Sequence, residues 1–250
     1  MSQSILRALS VVNFFSETPR TLTEVTDHLA VHKSTALRLL QSLEEEGFTR
    51  RRADGKYTVG FAMIAIAQRA LDGIELNTVA EPHLLKLSEQ FGHTIHLAQL
   101  EQTEISYISK VDGPGAVKMR SRVGQSAELH TSGVAKVIIA HAEPDIQAKL
   151  LQRVTYRRYT STTITEPVAF HRELDLIASR GWAEDNSEYE DFVGCIAAPI
   201  RNSRGQVMAG VSITALRSLV SQEALKDCVP VLLESAAAIS RDLGWIDDSQ

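Results

Sequence analysis

The sequence predicts an α+β protein with an N-terminal winged helix-turn-helix and a larger C-terminal domain. Two observations predict this fold class. Residues 21–48 contain two helix-forming segments around a short turn, and a basic two-stranded hairpin follows. From about residue 78, amphipathic helices alternate with strands of period two, which is typical of one antiparallel sheet covered by helices.

The helix-turn-helix begins and ends on recognisable signals. Thr21-Leu22-Thr23-Glu24 fits a capping box, in which the Thr and Glu side chains each satisfy a free backbone amide. After a turn at 31–33, the second helix is predicted from about Ser34 to Glu46. Gly47 follows, where a left-handed residue ends many helices.

The second helix has two chemically distinct faces when it is wound at about 100° per residue. Its apolar face carries Ala36, Leu37, Leu39, Leu40 and Leu43, and its polar face carries Ser34, Thr35, Arg38, Gln41, Ser42 and Glu45. Polar groups of this kind bond base edges, and an Arg can take guanine O6 and N7 together. The acidic run 44–46 would repel phosphate, so we expect only the N-terminal half to enter a groove.

The hairpin makes DNA binding the favoured interpretation. Residues 48–59 read as two short strands around Asp54-Gly55, and the basic residues on them are Arg50, Arg51, Arg52 and Lys56. We expect Thr35 and Arg38 to contact bases with Ser34 and Gln41 behind them. Phosphate contacts are expected from Lys33 and the four basic hairpin residues. The alternatives are an ordinary pair of packed helices and a winged helix used only for protein contact.

The charge distribution agrees with a small DNA-binding module ahead of an acidic domain. The net charge is −5, but residues 1–60 hold 8 Lys and Arg against 7 Asp and Glu, which is a net +1. No signal peptide or membrane-spanning run is recognisable. Cys195 and Cys228 form no CxxC pair, so we expect reduced thiols in a cytoplasmic protein.

We divide the chain into a winged helix at 1–60, a linker helix at 61–77 and a second domain at 78–250. The first helix is predicted at Ser4–Phe15, with a core-facing stripe of Ile5, Leu9, Val12 and Phe15. The linker segment Phe61–Leu71 is apolar nearly all round. We expect it to pack against its copy in a second subunit; the alternative is burial within its own chain.

The second domain is predicted to contain five helices and five strands. The helices are Ala80–Phe91, Thr131–His141, Pro144–Gln152, Pro167–Arg180 and Gln222–Leu243, and the strands are Thr94–Leu100, Glu104–Val111, Ala116–Val123, Val193–Arg201 and Gln206–Thr214. Residues 112–115 read as a turn and 156–165 as a polar loop.

Five motifs carry a family resemblance: HKSTALRLLQSLEEEGF, GKYTVGF, ELHTSGVAKVIIA, VGCIAAPI and AGVSIT. Over essentially its full length the chain resembles IclR-type bacterial transcriptional regulators. The resemblance implies a winged helix followed by a GAF-like effector-binding domain. It also implies homodimers or dimers of dimers, operator DNA as partner, a small organic acid as effector, and neither cofactor nor metal.

The resemblance also implies an effector pocket. The backbone amides of Gly133 and Val134, at a helix start, would receive a carboxylate. The implied polar lining is Asp185, Cys195, Ser212 and Thr214, and the further pocket positions are Ala127, Leu129 and Phe192. The residues alone show that Ser212 and Thr214 share a strand face. The ordinary alternative is that such Ser and Thr residues satisfy backbone groups and that the Cys is a small buried apolar residue.

The chain departs from the family pattern in two places, and the first of them concerns the ligand. Phe192-Val193-Gly194-Cys195 stands where the family commonly has Gly-Val-Arg-Cys, and Ala135 stands where a Gly is common. We hypothesise that Phe192 and Gly194 adapt the pocket to a bulkier or aromatic carboxylate.

The function that the sequence favours is a repressor of a catabolic operon, controlled by such an acid. One alternative is a DNA-binding dimer whose second domain only oligomerises. The other is an enzyme using Cys195 with a His as base. His93 and His96 form an HxxH, but a strand would place them on opposite faces, which disfavours shared metal ligation.

Overall fold

The computed structural model describes residues 3–72, 75–113 and 119–247. The chain forms two compact units, residues 1–74 and 75–250. The first unit contains α1 (Gln3–Glu17), α2 (Leu22–Leu29), α3 (Lys33–Glu45), β1 (Thr49–Arg51), β2 (Tyr57–Val59) and α4 (Phe61–Asp72). Within the described ranges, no helix combines the length and the hydrophobicity needed to cross a bilayer.

The predicted helix-turn-helix is present with both of its end signals. The Thr21 hydroxyl accepts the Glu24 backbone N–H at 3.3 Å, and the Glu24 carboxylate accepts the Thr21 backbone N–H at 2.7 Å. Gly47 has a φ of +71°. Around it, the Phe48 N–H donates to the Leu43 carbonyl and the Gly47 N–H to the Glu44 carbonyl, which is a Schellman motif.

The hairpin of β1 and β2, which we call the wing, is attached to both neighbouring segments. Arg20 and Tyr57 exchange two backbone hydrogen bonds of 2.9 and 2.7 Å, so the residue before the α2 N-cap extends the small sheet. On the α3 side, the Arg51 N–H donates to the Glu44 carboxylate at 3.1 Å. A Cβ at Gly60 would overlap the Gly47 backbone, so the chain after the wing passes directly over the end of α3.

The buried stripe of α1 differs from the predicted one. Val11 and Phe15 are buried, whereas Ile5 and Leu9 are 61% and 59% exposed. The prediction was wrong for these two residues because only the C-terminal half of α1 packs on the core formed with Val25, Ala36, Leu40 and Tyr57. Phe61, Ile64 and Ile66 of α4 are exposed as well.

The second unit is a five-stranded antiparallel sheet covered by helices on both faces. It contains α5 (Leu76–Phe91), β3 (Thr94–Glu101), β4 (Glu104–Val111), α6 (Gly133–His141), α7 (Pro144–Gln152), α8 (Pro167–Arg180), β5 (Ala183–Asp185), β6 (Val193–Arg201), β7 (Val207–Leu216), α9 (Gln222–Lys226) and α10 (Val229–Asp242). The strand order is β4-β3-β7-β6-β5. The helices α5, α9 and α10 cover one face, and α6, α7 and α8 cover the other. This is the predicted α+β class.

Four elements of the second unit differ from the prediction. Helix α5 begins at Leu76, four residues before the predicted start at Ala80 and within the segment predicted as the linker helix. The single helix 222–243 is two helices, because the Pro230 ring is incompatible with a helical carbonyl four residues earlier, at Lys226. The predicted strand 116–123 lies partly outside the described residues, and Met119–Val123 are irregular. The short strand β5 was not predicted because three residues are too few to show the alternation of polar and apolar side chains that marks a strand.

We expect Thr21→Ala to lower the free energy of unfolding of the first unit by about 1 kcal/mol, because the α2 amide that Thr21 caps loses its partner. Urea unfolding followed by far-UV circular dichroism measures the change. The control is Thr23→Ala on the exposed face of the same helix. An equal loss in both variants would contradict a capping role.

Candidate DNA-binding surface and ligand cavity

The polar face of α3 is open to solvent over its whole length. Each of the nine predicted DNA contacts has an exposed side chain: Lys33, Ser34, Thr35, Arg38, Gln41, Arg50, Arg51, Arg52 and Lys56. Ala36 and Leu40 on the opposite face are fully buried. The fold therefore presents the hydroxyls, the amide and the guanidinium together on one exposed helix face, as the prediction of base contacts requires.

The arginine side chains of the wing contact neighbouring side chains of the first unit. The Arg50 guanidinium lies 5.0 Å from the centre of the Phe61 ring, and the Arg51 guanidinium lies 5.8 Å from that of Tyr57. Arg52 forms a 3.7 Å ion pair with Asp54. These contacts are at the surface, where they are weak, so phosphate can compete for each cation.

A cavity of about 420 Å³ opens in the second unit, between one face of the sheet and the N-terminus of α6. Its volume is in the range of small-molecule sites. Most of the lining residues are of polar types, although the accessible wall is polar and apolar in nearly equal parts. The lining residues are His96, Tyr107, Met119, Arg120, Ser121, Gln125, Ser126, Glu128, Thr131, Ser132, Asp185, Tyr189, Glu190, Val193, Cys195, Ser212 and Thr214.

The floor of the cavity is set by strand register. His96 pairs with Ser212, Thr214 pairs with Cys195, and Cys195 pairs with Asp185, so these five side chains from four strands share one face. Burial lowers the pKa of His96 to about 4, so its ring is neutral. The ring nitrogens bond the hydroxyls of Thr214 at 3.1 Å and Ser121 at 2.6 Å.

The α6 end of the cavity has a close helix–sheet contact and an unpaired hydroxyl. A Cβ at Gly133 would lie 2.7 Å from the Cys195 sulfur, so only glycine fits there. Ser132 is the N-cap residue, but its hydroxyl bonds the Tyr107 hydroxyl at 3.1 Å instead of an α6 amide. Thr131 is fully buried, and its hydroxyl has no hydrogen-bond partner among the described residues.

A buried charge cluster supports the wall. The Lys136 ammonium of α6 donates to Glu188 at 2.6 Å, and the Glu188 backbone N–H donates to Asp185 at 2.6 Å. Burial and then the Glu188 carboxylate raise the pKa of Asp185 to about 7. Burial also raises the pKa of the Cys195 thiol, which keeps it protonated and disfavours a nucleophilic role.

Both units match models of one family. The family model described as "Bacterial transcriptional regulator IclR C-terminal" matches residues 68–241, and "IclR helix-turn-helix domain" matches residues 4–53. The chain belongs to the IclR family of bacterial transcriptional regulators. This confirms the resemblance and the prediction of a DNA-binding regulator with a C-terminal effector domain rather than an enzyme.

Named IclR-family proteins resemble the chain over nearly its whole length. The HTH-type transcriptional regulator KdgR of Escherichia coli is 31% identical over 246 residues, which is 98% of this chain and 94% of KdgR. The crystal structure of the Agobacterium tumefaciens repressor BlcR is 25% identical, covers 98% of both chains and has a TM-score of 0.83. An IclR homolog from Microbacterium hydrocarbonoxydans, crystallised with 4-hydroxybenzoate, is 27% identical, covers 96% of this chain and 99% of its own, and has a TM-score of 0.61.

The structure of this IclR-family chain brings only some of the predicted effector residues to the cavity. Asp185, Cys195, Ser212 and Thr214 line the cavity. Ala127, Leu129, Gly133 and Val134 do not belong to its lining; Ala127, Gly133 and Val134 are buried, and Leu129 is half-buried.

Phe192 is placed differently from the expectation. It is 48% exposed and lies outside the cavity lining, just before β6 begins. A side chain at Gly194 would point at Gln222 and Arg217, and neither residue lines the cavity. The structure therefore gives no support to the hypothesis that these two positions adapt the pocket to an aromatic acid.

Sequence reasoning missed several wall residues of the IclR-family cavity. His96 was considered only as half of an HxxH; in the structure His93 precedes β3, and His96 lies on the cavity face of that strand. Strand alternation alone would have placed His96 and Ala98 on one face. Tyr107, Ser121 and Tyr189 come from an edge strand and two loops, whose meeting point depends on the tertiary fold.

We expect Arg38→Ala to weaken specific operator binding by about 1–3 kcal/mol and to relax the preference at one base pair, because an exposed α3 guanidinium contacts a base edge. Lys56→Ala on the wing is expected to weaken binding to all sequences alike and to flatten the salt dependence. Fluorescence anisotropy with operator and scrambled duplexes over a salt series separates the two effects. The reverse pattern would refute the assigned roles.

We expect Asp185→Asn to flatten the pH dependence of stability. With its pKa raised to about 7, folded Asp185 holds a proton that the unfolded chain releases above about pH 4. The free energy of unfolding therefore falls as the pH rises through this window. The variant removes that contribution, which is at most about 1.4 kcal/mol per pH unit for one proton.

Urea unfolding of both proteins across the same pH window measures the Asp185 contribution. The matched control is Asp175→Asn, at an exposed position of α8. If the parent and Asp185→Asn lose stability in parallel as the pH rises, Asp185 does not carry the raised pKa.

Proposed function

We propose that the chain represses a catabolic operon and that a small organic acid, bound in the cavity, controls its affinity for the operator. The cavity carries this proposal, because it lies at the positive end of the α6 dipole and beside an unpartnered buried hydroxyl at Thr131. The similar Agobacterium protein is named a repressor, and the similar Microbacterium protein was crystallised with an organic acid.

The acid would bind with its carboxylate at the start of α6. The helix dipole favours an anion there, and Gly133 and Val134, whose amides are predicted to receive it, directly follow the lining residues Thr131 and Ser132. No cofactor or metal is needed for this function, and we expect it to operate in the cytoplasm. Ser212 and Thr214 on the floor are available to bond the rest of the molecule.

Regulation would act through a homodimer or a dimer of dimers. Two copies of α3 would enter successive major grooves of a partly palindromic operator. The acid must favour one spacing of these helices over another, since a ligand with equal affinity for both states shifts nothing. We assign the coupling to α4, whose exposed Phe61, Ile64 and Ile66 would pack against the same residues of the second copy.

The test is an operator titration with the full-length protein and its own upstream DNA, using D-gluconate, D-xylonate, hexanoate and 4-hydroxybenzoate as probes. We expect at least one acid to change the apparent Kd for DNA by about fivefold or more, which is the size of ordinary allosteric coupling. A reporter gene behind the same DNA shows whether deleting the regulator raises expression, as repression requires.

We expect Gly133→Ala to reduce this response to the acid, because the added Cβ would meet the Cys195 sulfur and push the α6 amides off the cavity. The double variant Gly133→Ala with Cys195→Ala removes the overlapping sulfur and should regain part of the response. Operator binding without acid is measured in each variant as a check on folding.

Two results would contradict the proposed function. If none of the acids changes operator affinity or the melting temperature, the second unit is better explained as an oligomerisation domain. If Gly133→Ala responds as the parent does, the carboxylate does not bind at the start of α6.

A further inference from the structure

We infer that the ligand of the cavity is a polyhydroxylated aliphatic monocarboxylate, such as an aldonic acid. This inference rests on the proposed effector function and narrows it to one chemical class. Three features of the wall carry it: the density of hydroxyl groups, the neutral histidine that links two of them, and the sign of the nearby charges.

The hydroxyl groups are too many for an apolar ligand. Six of the lining residues carry one: Tyr107, Ser121, Thr131, Ser132, Ser212 and Thr214. Thr131 is fully buried without a partner, although buried hydroxyls normally have one. Tyr107 and Ser132 bond each other, and Thr214 and Ser121 bond His96, so each of these four hydroxyls keeps one further hydrogen-bonding position. An aromatic or alkyl acid would leave those positions unused, and polar sites discriminate against ligands that lack the matching hydroxyl.

His96 arranges two of these hydroxyls as one donor and one acceptor. A neutral imidazole carries its proton on one nitrogen only. If Nδ1 donates to Thr214, the Thr214 hydroxyl hydrogen is free for the ligand, and Ser121 donates to Nε2 and keeps an oxygen that accepts. The other tautomer exchanges the two roles. A chain of adjacent alcohol groups, each both donor and acceptor, fits either arrangement.

The charges around the cavity limit the ligand to one carboxylate. Among the described lining residues, the carboxylates of Glu190 and Glu128 outnumber the one cation, Arg120, which is exposed, and Asp185 is a third carboxyl group that is partly protonated near pH 7. The Lys136 ammonium is already engaged by Glu188 behind the wall. One anionic group fits at the α6 amides, whereas a second one would face like charge. The remainder of the ligand is therefore neutral and polar.

The test is calorimetry on the full-length protein with matched probes. D-gluconate and D-xylonate carry one carboxylate and several hydroxyls. Hexanoate and 4-hydroxybenzoate lack the polyol chain, D-glucarate adds a second carboxylate, and sorbitol has none. We expect the better aldonate to bind at least about tenfold more tightly than each of the other four. Hexanoate and 4-hydroxybenzoate lose two or more hydrogen bonds, sorbitol lacks the carboxylate, and glucarate brings a second negative charge.

Two variants test which hydroxyl groups of the wall contact the ligand. Thr131→Val keeps the shape of the side chain and should weaken aldonate binding about fivefold, the usual effect of one hydrogen bond, without changing hexanoate binding. Ser121→Ala provides a second measurement at a half-buried position should Thr131→Val fold poorly. The control is Thr78→Val, which is exposed on α5 and lies outside the cavity lining.

The other possible binding results would contradict separate parts of the inference or of the effector proposal. If hexanoate or 4-hydroxybenzoate binds more tightly than both aldonates, the inference fails while the effector proposal stands. If sorbitol or glucarate binds as tightly as gluconate, the ligand need not carry a single carboxylate, and that part of the inference fails. Equal weakening of every ligand by Thr131→Val means that its hydroxyl is structural, which also overturns the inference. If no acid binds at all, the effector proposal itself fails.

Discussion

Helix α6 lies directly on the sheet, and the cavity depends on that contact. Gly133 has no side chain to hold the helix away from Cys195 and Ala197. One turn further on, Gly210 of β7 lies under α6, where a Cβ would be 3.2 Å from the Val134 carbonyl oxygen. The first seven residues of α6 are buried, so the helix is fixed along its length and its N-terminus is held above the strands.

The buried lysine on α6 extends this constraint to the loop on the other side of the cavity. Lys136 is fully buried, and removing one partner of such a pair leaves an uncompensated charge, which is strongly destabilising. Glu188, its partner, is held in turn by the Thr163 hydroxyl, which donates to the Glu188 carbonyl at 2.6 Å. Helix, loop and polar segment 156–165 therefore form one connected wall, in which a change at any member is felt at Asp185.

The DNA-binding module could be predicted from sequence because its signals are local. The capping box at Thr21, the left-handed Gly47 and the Asp54-Gly55 turn each act within a few residues. The same kind of signal, Pro230, marks the break between α9 and α10 and was overlooked. Ile5 and Leu9 were assigned to the core because periodicity gives a stripe but does not tell how much of a helix the core reaches.

The cavity was harder to predict because it depends on strand order. Alternation places Ser212 with Thr214 and Cys195 with Ala197, but it does not reveal that β3 lies next to β7 and brings His96 to the same floor. The family resemblance supplied four of the lining residues. It could not indicate that Phe192, at the start of a strand, would lie outside the lining.

The attachment of the wing to α3 has a consequence for the DNA. Glu44 holds the Arg51 amide, Phe48 closes the end of α3, and Gly60 fits against Gly47, so helix and wing move as one rigid body. In the proposed dimer, a rigid module could not adjust to an operator whose half-sites are out of phase, so the duplex would have to twist or bend to meet both copies. Base pairs between the half-sites, which no side chain touches, will then influence affinity through their stiffness.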